Sequence, residues 1–128
     1  MNETNITKLI MLAVSKLSTT VFRNNTGMGW QGKVIRTTTN DILIKEPRPL
    51  HAGLCTGSSD LIGWTTKVIT PEMVGQKVAI FTAIEVKTGT GRMSKEQLAF
   101  IQAVRTCGGI SGIARTPEEA QNLVENLK

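Results

Sequence analysis

Residues 76–92, QKVAIFTAIEVKTGTGR, constrain the fold more than any other stretch of the chain. From Lys77 to Val86 nearly every side chain is apolar or small. Val78, Ile80, Ile84 and Val86 would point one way from an extended chain, and Ala79, Phe81 and Ala83 the other. A strand apolar on both sides is normally a central one, covered above and below, so the pattern predicts a buried strand over 77–86. Glu85 and Lys87 then share a face at its C-terminal end. An acid and a base placed where a buried strand emerges cost desolvation energy, so they need a partner or a task. A divalent metal would supply the partner, together with a further carboxylate. Asp60, at the start of the apolar run that follows it, is the best candidate.

The 128 residues predict one domain, 1–128, with room for a single core but not for a catalytic module plus a separate recognition module. The 15 basic residues outnumber the 10 acidic ones, giving net +5. That excess suits a polyanionic partner without requiring one. One histidine and two unpatterned cysteines, Cys55 and Cys107, leave no zinc-finger spacing, and buried free thiols are expected rather than a disulfide. Lys8 and Lys16 interrupt the N-terminal apolar run, so neither a signal peptide nor a membrane span is expected; the expected compartment is the cytoplasm.

Ile6, Leu9, Ile10, Ala13, Val14 and Leu17 follow the spacing of an amphipathic helix, with Asn2, Thr4 or Asn5 as its cap. Glu3, one turn before Ile6, is either a surface acid favoured by the helix dipole or an additional carboxylate for a metal site. Residues 19–24 are β-prone, and Gly27 and Gly29 suggest a turn through Met28 and Trp30. Two strands, 33–38 and 42–45, would form a hairpin with its tip at 39–41, before a loop marked by Pro47, Pro49 and Gly53. Residues 61–65 read as the next strand. Ser94 and Gln97 form a capping-box signature ahead of a helix that Gly108 and Gly109 end. A short strand over 110–115 precedes a helix opened by Thr116, Pro117 and Glu119, with Leu123, Val124 and Leu127 on one side. This order predicts an α/β layer structure with a mixed sheet, in which 77–115 forms a parallel strand–helix–strand crossover.

Asp60 followed by Glu85-Val86-Lys87 is a weak signature alone, but here the acid opens one strand and the E-x-K closes another. With Phe22-Arg23-Asn24-Asn25-Thr26-Gly27, Ser59-Asp60-Leu61-Ile62, Ile84-Glu85-Val86-Lys87, and Gln97 followed by Gly108-Gly109, the chain resembles the virus-type replication-repair nuclease (VRR-NUC) domain of the PD-(D/E)XK nuclease superfamily. The likeness covers nearly the whole chain. Ser59 departs from the proline often found before that aspartate, at a position that shapes backbone and ligates nothing. The resemblance implies an αβββαβ core, a central mixed sheet flanked by helices, and a metal-dependent endonuclease.

The residues suit that chemistry. Phosphodiester hydrolysis needs a Lewis acid that polarises the phosphate and lowers the pKa of an attacking water, and oxygen ligands suit Mg²⁺ or Mn²⁺. Asp60, Glu85 and the main-chain carbonyl of Val86 would be ligands, with Glu3 as the family-like N-terminal acid. Lys87 would orient the water or offset charge on the phosphate, and Gln97 would hydrogen-bond that water or Lys87. Plainer readings stand beside these: an ion pair for Glu85 and Lys87, a turn cap for Asp60, a helix cap for Gln97, and hairpin or loop charges for Asp41 and Glu46. Trp30 is expected to be buried rather than to stack on a base. Candidate DNA contacts are Arg23, Asn24 and Asn25, then Thr88, Arg92 and Lys95, where glycine-rich backbone can hold a phosphate or can form a plain polar loop.

No recognition helix or zinc finger is visible to read base edges, which points to recognition of DNA shape. One site cuts one strand, so a homodimer would pair two cuts. The resemblance implies stand-alone phage members that act as dimers on four-way (Holliday) junctions; a flap or nicking nuclease is an alternative. The rival from another class is a phage accessory protein that binds nucleic acid on a nuclease fold without cutting.

Overall fold

The computed structural model describes residues 2–36 and 40–125. They form a mixed α/β structure in the order α1 (Glu3–Ser15), β1 (Thr19–Arg23), β2 (Gly27–Arg36), β3 (Ile42–Ala52), β4 (Leu61–Thr65), a 3₁₀ turn (Pro71–Met73), β5 (Thr82–Val86), α2 (Lys95–Thr106), β6 (Ile110–Ala114) and α3 (Pro117–Glu125). The chain divides into two compact units, residues 1–15 with 20–63, and residues 16–19 with 64–128. Of the expected strand 33–38 and hairpin tip 39–41, residues 37–39 lie outside the described residues, as does the inward Leu127.

In the first unit, Asn2 caps α1 by accepting the Asn5 N–H on its side-chain oxygen at 2.9 Å. The apolar spacing of that helix is present but its side chains stay open to solvent; Leu9 is 53 % exposed. β2 and β3 pair antiparallel, from Gly27 opposite Ala52 to Arg36 opposite Ile42. Both strands are longer than their sequence suggests. The glycines expected to break the chain at 27–30 lie inside β2, and Pro47 and Pro49, expected in a loop, lie inside β3. A two-stranded ribbon has two outer edges, where a residue without an N–H does not interrupt a ladder. Trp30, expected to be buried, is 55 % exposed opposite Pro49.

In the second unit, β5 and β6 pair parallel through α2, with Glu85 opposite Ile113. This is the expected crossover. The single central mixed sheet is not what the described residues form; their strands pair as β1 with β4, β2 with β3, and β5 with β6. The strand expected over 77–86 is paired only from Thr82, because β6 offers it a partner five residues long and no other strand among the described residues joins β5. One face of β5, that of Ala83, Glu85 and Lys87, is half-buried, whereas Val86 on the other is 76 % exposed. The core gathers beneath α2: Ile101, Val104, Ala114 and the hydroxyl-bearing Ser111 are buried. Ser111 donates to the Ala83 carbonyl at 2.7 Å, so its burial leaves no unpaired polar group.

Chain ends of the helices follow their caps. Ser94 and Gln97 form the expected capping box on α2, and Gly108, at φ 94°, supplies the left-handed stop that follows it. Thr116 accepts the Glu119 N–H at 3.2 Å to start α3. Both cysteines are free, but neither is buried as expected: Cys55 is exposed and Cys107 half-buried. Among the described residues no helix is long and apolar enough to cross a membrane.

Strand β4 approaches β1 closely at Gly63, where an added methyl would overlap the Thr20 carbonyl. Backbone cannot step aside as a side-chain tip can. Gly63→Ala is therefore expected to destabilise the protein by about 3 kcal/mol, the upper end of overpacking costs. Thermal melting followed by circular dichroism checks it, with a midpoint roughly 10 °C lower expected.

Candidate active site

The site is built where β5 ends and α2 begins. Residues two apart on a strand share a face, so Glu85 and Lys87 emerge together, and the Lys87 ammonium lies 2.9 Å from Glu85 Oε1. Their side chains are 29 % and 19 % exposed respectively, which separates this pair from solvent-screened surface ion pairs. Gln97, on the first turn of α2, donates from Nε2 to the same Glu85 oxygen at 2.7 Å. Its other amide atom, Oε1, accepts the Ser94 N–H at 3.0 Å, while the Gln97 N–H donates to Ser94 Oγ at 3.1 Å. The helix cap thereby fixes which end of the amide faces Glu85. Sequence reasoning allowed Gln97 both roles but aimed its amide at Lys87 or a water; the structure aims it at Glu85.

A cavity of about 420 Å³ opens beside this cluster, lined by Glu85, Glu96, Gln97, Phe100 and Ser111 among others. Glu96 was not singled out from the sequence; its position next to Gln97 on the first turn was the available signal. Beyond Lys87 the chain turns tightly, with the Gly91 N–H donating to the Thr88 carbonyl at 2.9 Å. Arg115, just past β6, closes this turn by donating to the Thr88 carbonyl at 2.7 Å and to the Gly91 carbonyl at 2.8 Å. That guanidinium had no signal in the sequence, because its partners are carbonyls 27 and 24 residues away. Thr88 thus sits in a braced turn, Arg92 is exposed immediately after it, and Lys95 is exposed as the first residue of α2.

The remaining candidates belong to the first unit. Asp60 is exposed and immediately precedes β4; its carbonyl accepts the Asn24 N–H at 2.8 Å. Asn24 was expected to meet DNA, but its side chain serves the Asp60 loop. Its Nδ2 donates to Ser58 Oγ at 2.7 Å and to the Ser59 carbonyl at 2.9 Å, and its Oδ1 accepts the Leu54 N–H at 3.0 Å. With both amide hydrogens and the oxygen engaged, Asn24 holds the backbone leading into Asp60. Arg23, the last residue of β1, and Asn25 are exposed beside it. Glu3 is the exposed first residue of α1.

The donor chemistry at Glu85 suits a hard cation. Oε1 carries the Lys87 and Gln97 contacts, and no described residue adds a partner on Oε2. One carboxylate with a neighbouring main-chain carbonyl offers the oxygen donors that hard divalent cations take, the rest of the shell being filled by water and substrate phosphate. Among the described residues, no cluster of three or more His, Cys, Asp or Glu side chains forms an all-protein cage.

Comparison with curated proteins and with solved structures gave no match. The family comparison did: the VRR-NUC domain matches residues 22–117, a span that runs from the end of β1 to the first residue of α3 and holds Asp60, Glu85, Lys87 and Gln97. Families of this kind are nucleases, whose substrates are nucleic acids and which typically use divalent metals. With three quarters of its length matched and the E-x-K pair joined to Gln97 at one end of β5, this chain belongs to the VRR-NUC domain family of nucleases.

Proposed function

We propose that the protein is a metal-dependent, structure-selective DNA endonuclease on a PD-(D/E)XK core, acting as a homodimer on four-way (Holliday) junctions. The observation that carries this reading is the Glu85 carboxylate held by Lys87 and Gln97 at an open cavity, in a chain of a nuclease family. The parallel β5–α2–β6 unit is compatible with the closing βαβ part of such a core, although five described strands lie between α1 and α2 where the αβββαβ pattern has three. Residues 1–128 would then work as one domain.

Asp60, Glu85 and the Val86 carbonyl would hold Mg²⁺ or Mn²⁺, with Glu3 as a further carboxylate. Such an ion supplies Lewis acidity to the phosphate and lowers the pKa of a bound water. The chain's own groups do the positioning. Gln97 keeps Glu85 oriented through a bond braced at its other end by the α2 cap. Lys87 brings a positive charge to within 2.9 Å of that carboxylate, where it can offset charge developing on phosphate oxygens. Arg115 holds the following turn, so the Thr88 backbone and Arg92 meet the substrate from a fixed loop. Arg23, Asn25 and Lys95 extend the polar surface offered to DNA.

One such site cleaves one strand, and two-fold symmetry would match paired cuts across a junction. Exposed apolar side chains on β5, Ile84 and Val86, are consistent with cover by a second copy. A phage origin, with work in the host cytoplasm on DNA repair or recombination, fits this reading. The Glu85–Lys87 pair is also closed on itself without any ion, as it would be in an accessory protein that only binds nucleic acid.

Labelled junction, flap and duplex DNA separate these readings. With Mg²⁺ or Mn²⁺ the protein is expected to cut the junction in symmetric pairs, and Glu85→Ala and Lys87→Ala to lower the rate by about 10²-fold or more. Binding without cleavage on every substrate would favour the accessory protein, and cutting of flaps alone would favour a flap nuclease. Gln97→Glu isolates the brace on Glu85. Glutamate preserves the capping box, so circular dichroism should show the helix content retained, yet it sets an acid against Glu85 and should slow cleavage about 10²-fold. Unchanged cleavage would remove Gln97 from the active site.

A further inference from the structure

The β2–β3 ribbon carries four cations, Lys33, Arg36, Lys45 and Arg48, none of which belongs to the site described above. Its register shifts once. Gln31 faces Arg48 and Lys33 faces Lys45, so Glu46 and Pro47 together oppose Gly32 alone. Residues 45 and 48 are an odd number apart and would point to opposite faces of a regular strand. The extra residue turns them to the same face, alongside Gln31 and Lys33.

Two features show this bulge to be built into the chain. Glu46 sits at φ 50°, a left-handed conformation that costs a non-glycine residue roughly 1 kcal/mol or more. Gly32 has no room for a side chain, since a Cβ there would lie 2.6 Å from the Lys45 carbonyl oxygen and 2.7 Å from an Ile44 methyl. The result is a hollow of about 730 Å³ lined by Gln31, Lys33, Lys45 and Arg48, with Glu46 as its one acid. Lys33 and Lys45 stand directly opposite each other, a like-charge pairing that repels. No described carboxylate forms an ion pair with Lys33, Lys45 or Arg48.

Three unneutralised cations brought to one face by a strained residue call for a partner with several linked negative charges. A two-stranded ribbon is also an element that a duplex groove admits. We infer that this face of the β2–β3 ribbon binds the sugar–phosphate backbone of nucleic acid, as a clamp distinct from the cleavage residues. The nuclease reading supplies only the identity of the polyanion; the charge and register stand without it.

Anisotropy of a labelled DNA duplex, measured without divalent metal over a series of NaCl concentrations, tests the clamp. Each phosphate contact contributes about 0.9 to the slope of log affinity against log salt, so Lys33→Gln/Lys45→Gln/Arg48→Gln should flatten the slope by about 2–3. The free triple variant should melt no lower than the parent, because a repulsion has been removed. Lys8→Gln/Lys16→Gln removes charge elsewhere and should leave the slope unchanged. A parental slope in the triple variant, or an equal loss in the control, overturns the clamp. If the triple variant does not fold, Arg48→Gln alone decides, with a fall of about 1 expected and none contradicting the inference. Loss of slope in a protein that never cleaves would retain the clamp and reject the nuclease reading.

Discussion

One carboxylate organises the second unit. Glu85 receives Lys87 from its own strand and Gln97 from the facing helix, and both reach the same oxygen. Because Gln97 also closes the α2 capping box, the orientation of Glu85 is tied to the start of a helix whose Ile101 and Val104 form the core. Helix position, strand register and acid geometry are thereby coupled through a single amide. A change that frays the first turn of α2 will loosen the carboxylate as well, even where no side chain of the site has been altered.

The same economy appears in the loops. Asn24 spends its entire side chain on the backbone before Asp60, and Arg115 spends its guanidinium on the turn after Lys87. Each long-range polar residue thus braces a segment that bears a candidate catalytic group. Loops fixed in this way lose less conformational entropy when they engage a substrate. The buried apolar residues among those described are Ile101, Val104 and Ala114, whereas large side chains on α1, the ribbon and the outer face of β5 are open.

What the sequence made legible were features set by local chemistry. The capping box at Ser94 and Gln97, the glycine stop after α2, the Thr116 cap and the β4 run appear as expected because each depends on residues within a turn or a short alternation. Glu85 and Lys87 on one face follow from the strand period alone. The misreadings share a cause of the opposite kind. Gly27, Gly29, Pro47 and Pro49 look like breakers, yet they lie in strands whose pairing partner is some 20 residues away. Residues 77–80 look like strand, but no strand among the described residues pairs with them. Asn24 follows a strand and resembles a free polar contact; only the folded loop shows that its amide is engaged. The register shift that turns Lys45 and Arg48 to one face was hidden for the same reason, since a bulge belongs to two strands and not to either sequence alone.

The proposed function rests on one claim, that Glu85 and Asp60 would share a divalent ion beside the Lys87 ammonium. An anomalous difference map from crystals grown with Mn²⁺ tests it most directly. The account predicts a peak at about 2.1 Å from a Glu85 oxygen and from an Asp60 oxygen, the distance range of small divalent ions bound by oxygen. A peak that touches neither carboxylate, or crystals saturated with Mn²⁺ in which Glu85 keeps only Lys87 and Gln97, would contradict it.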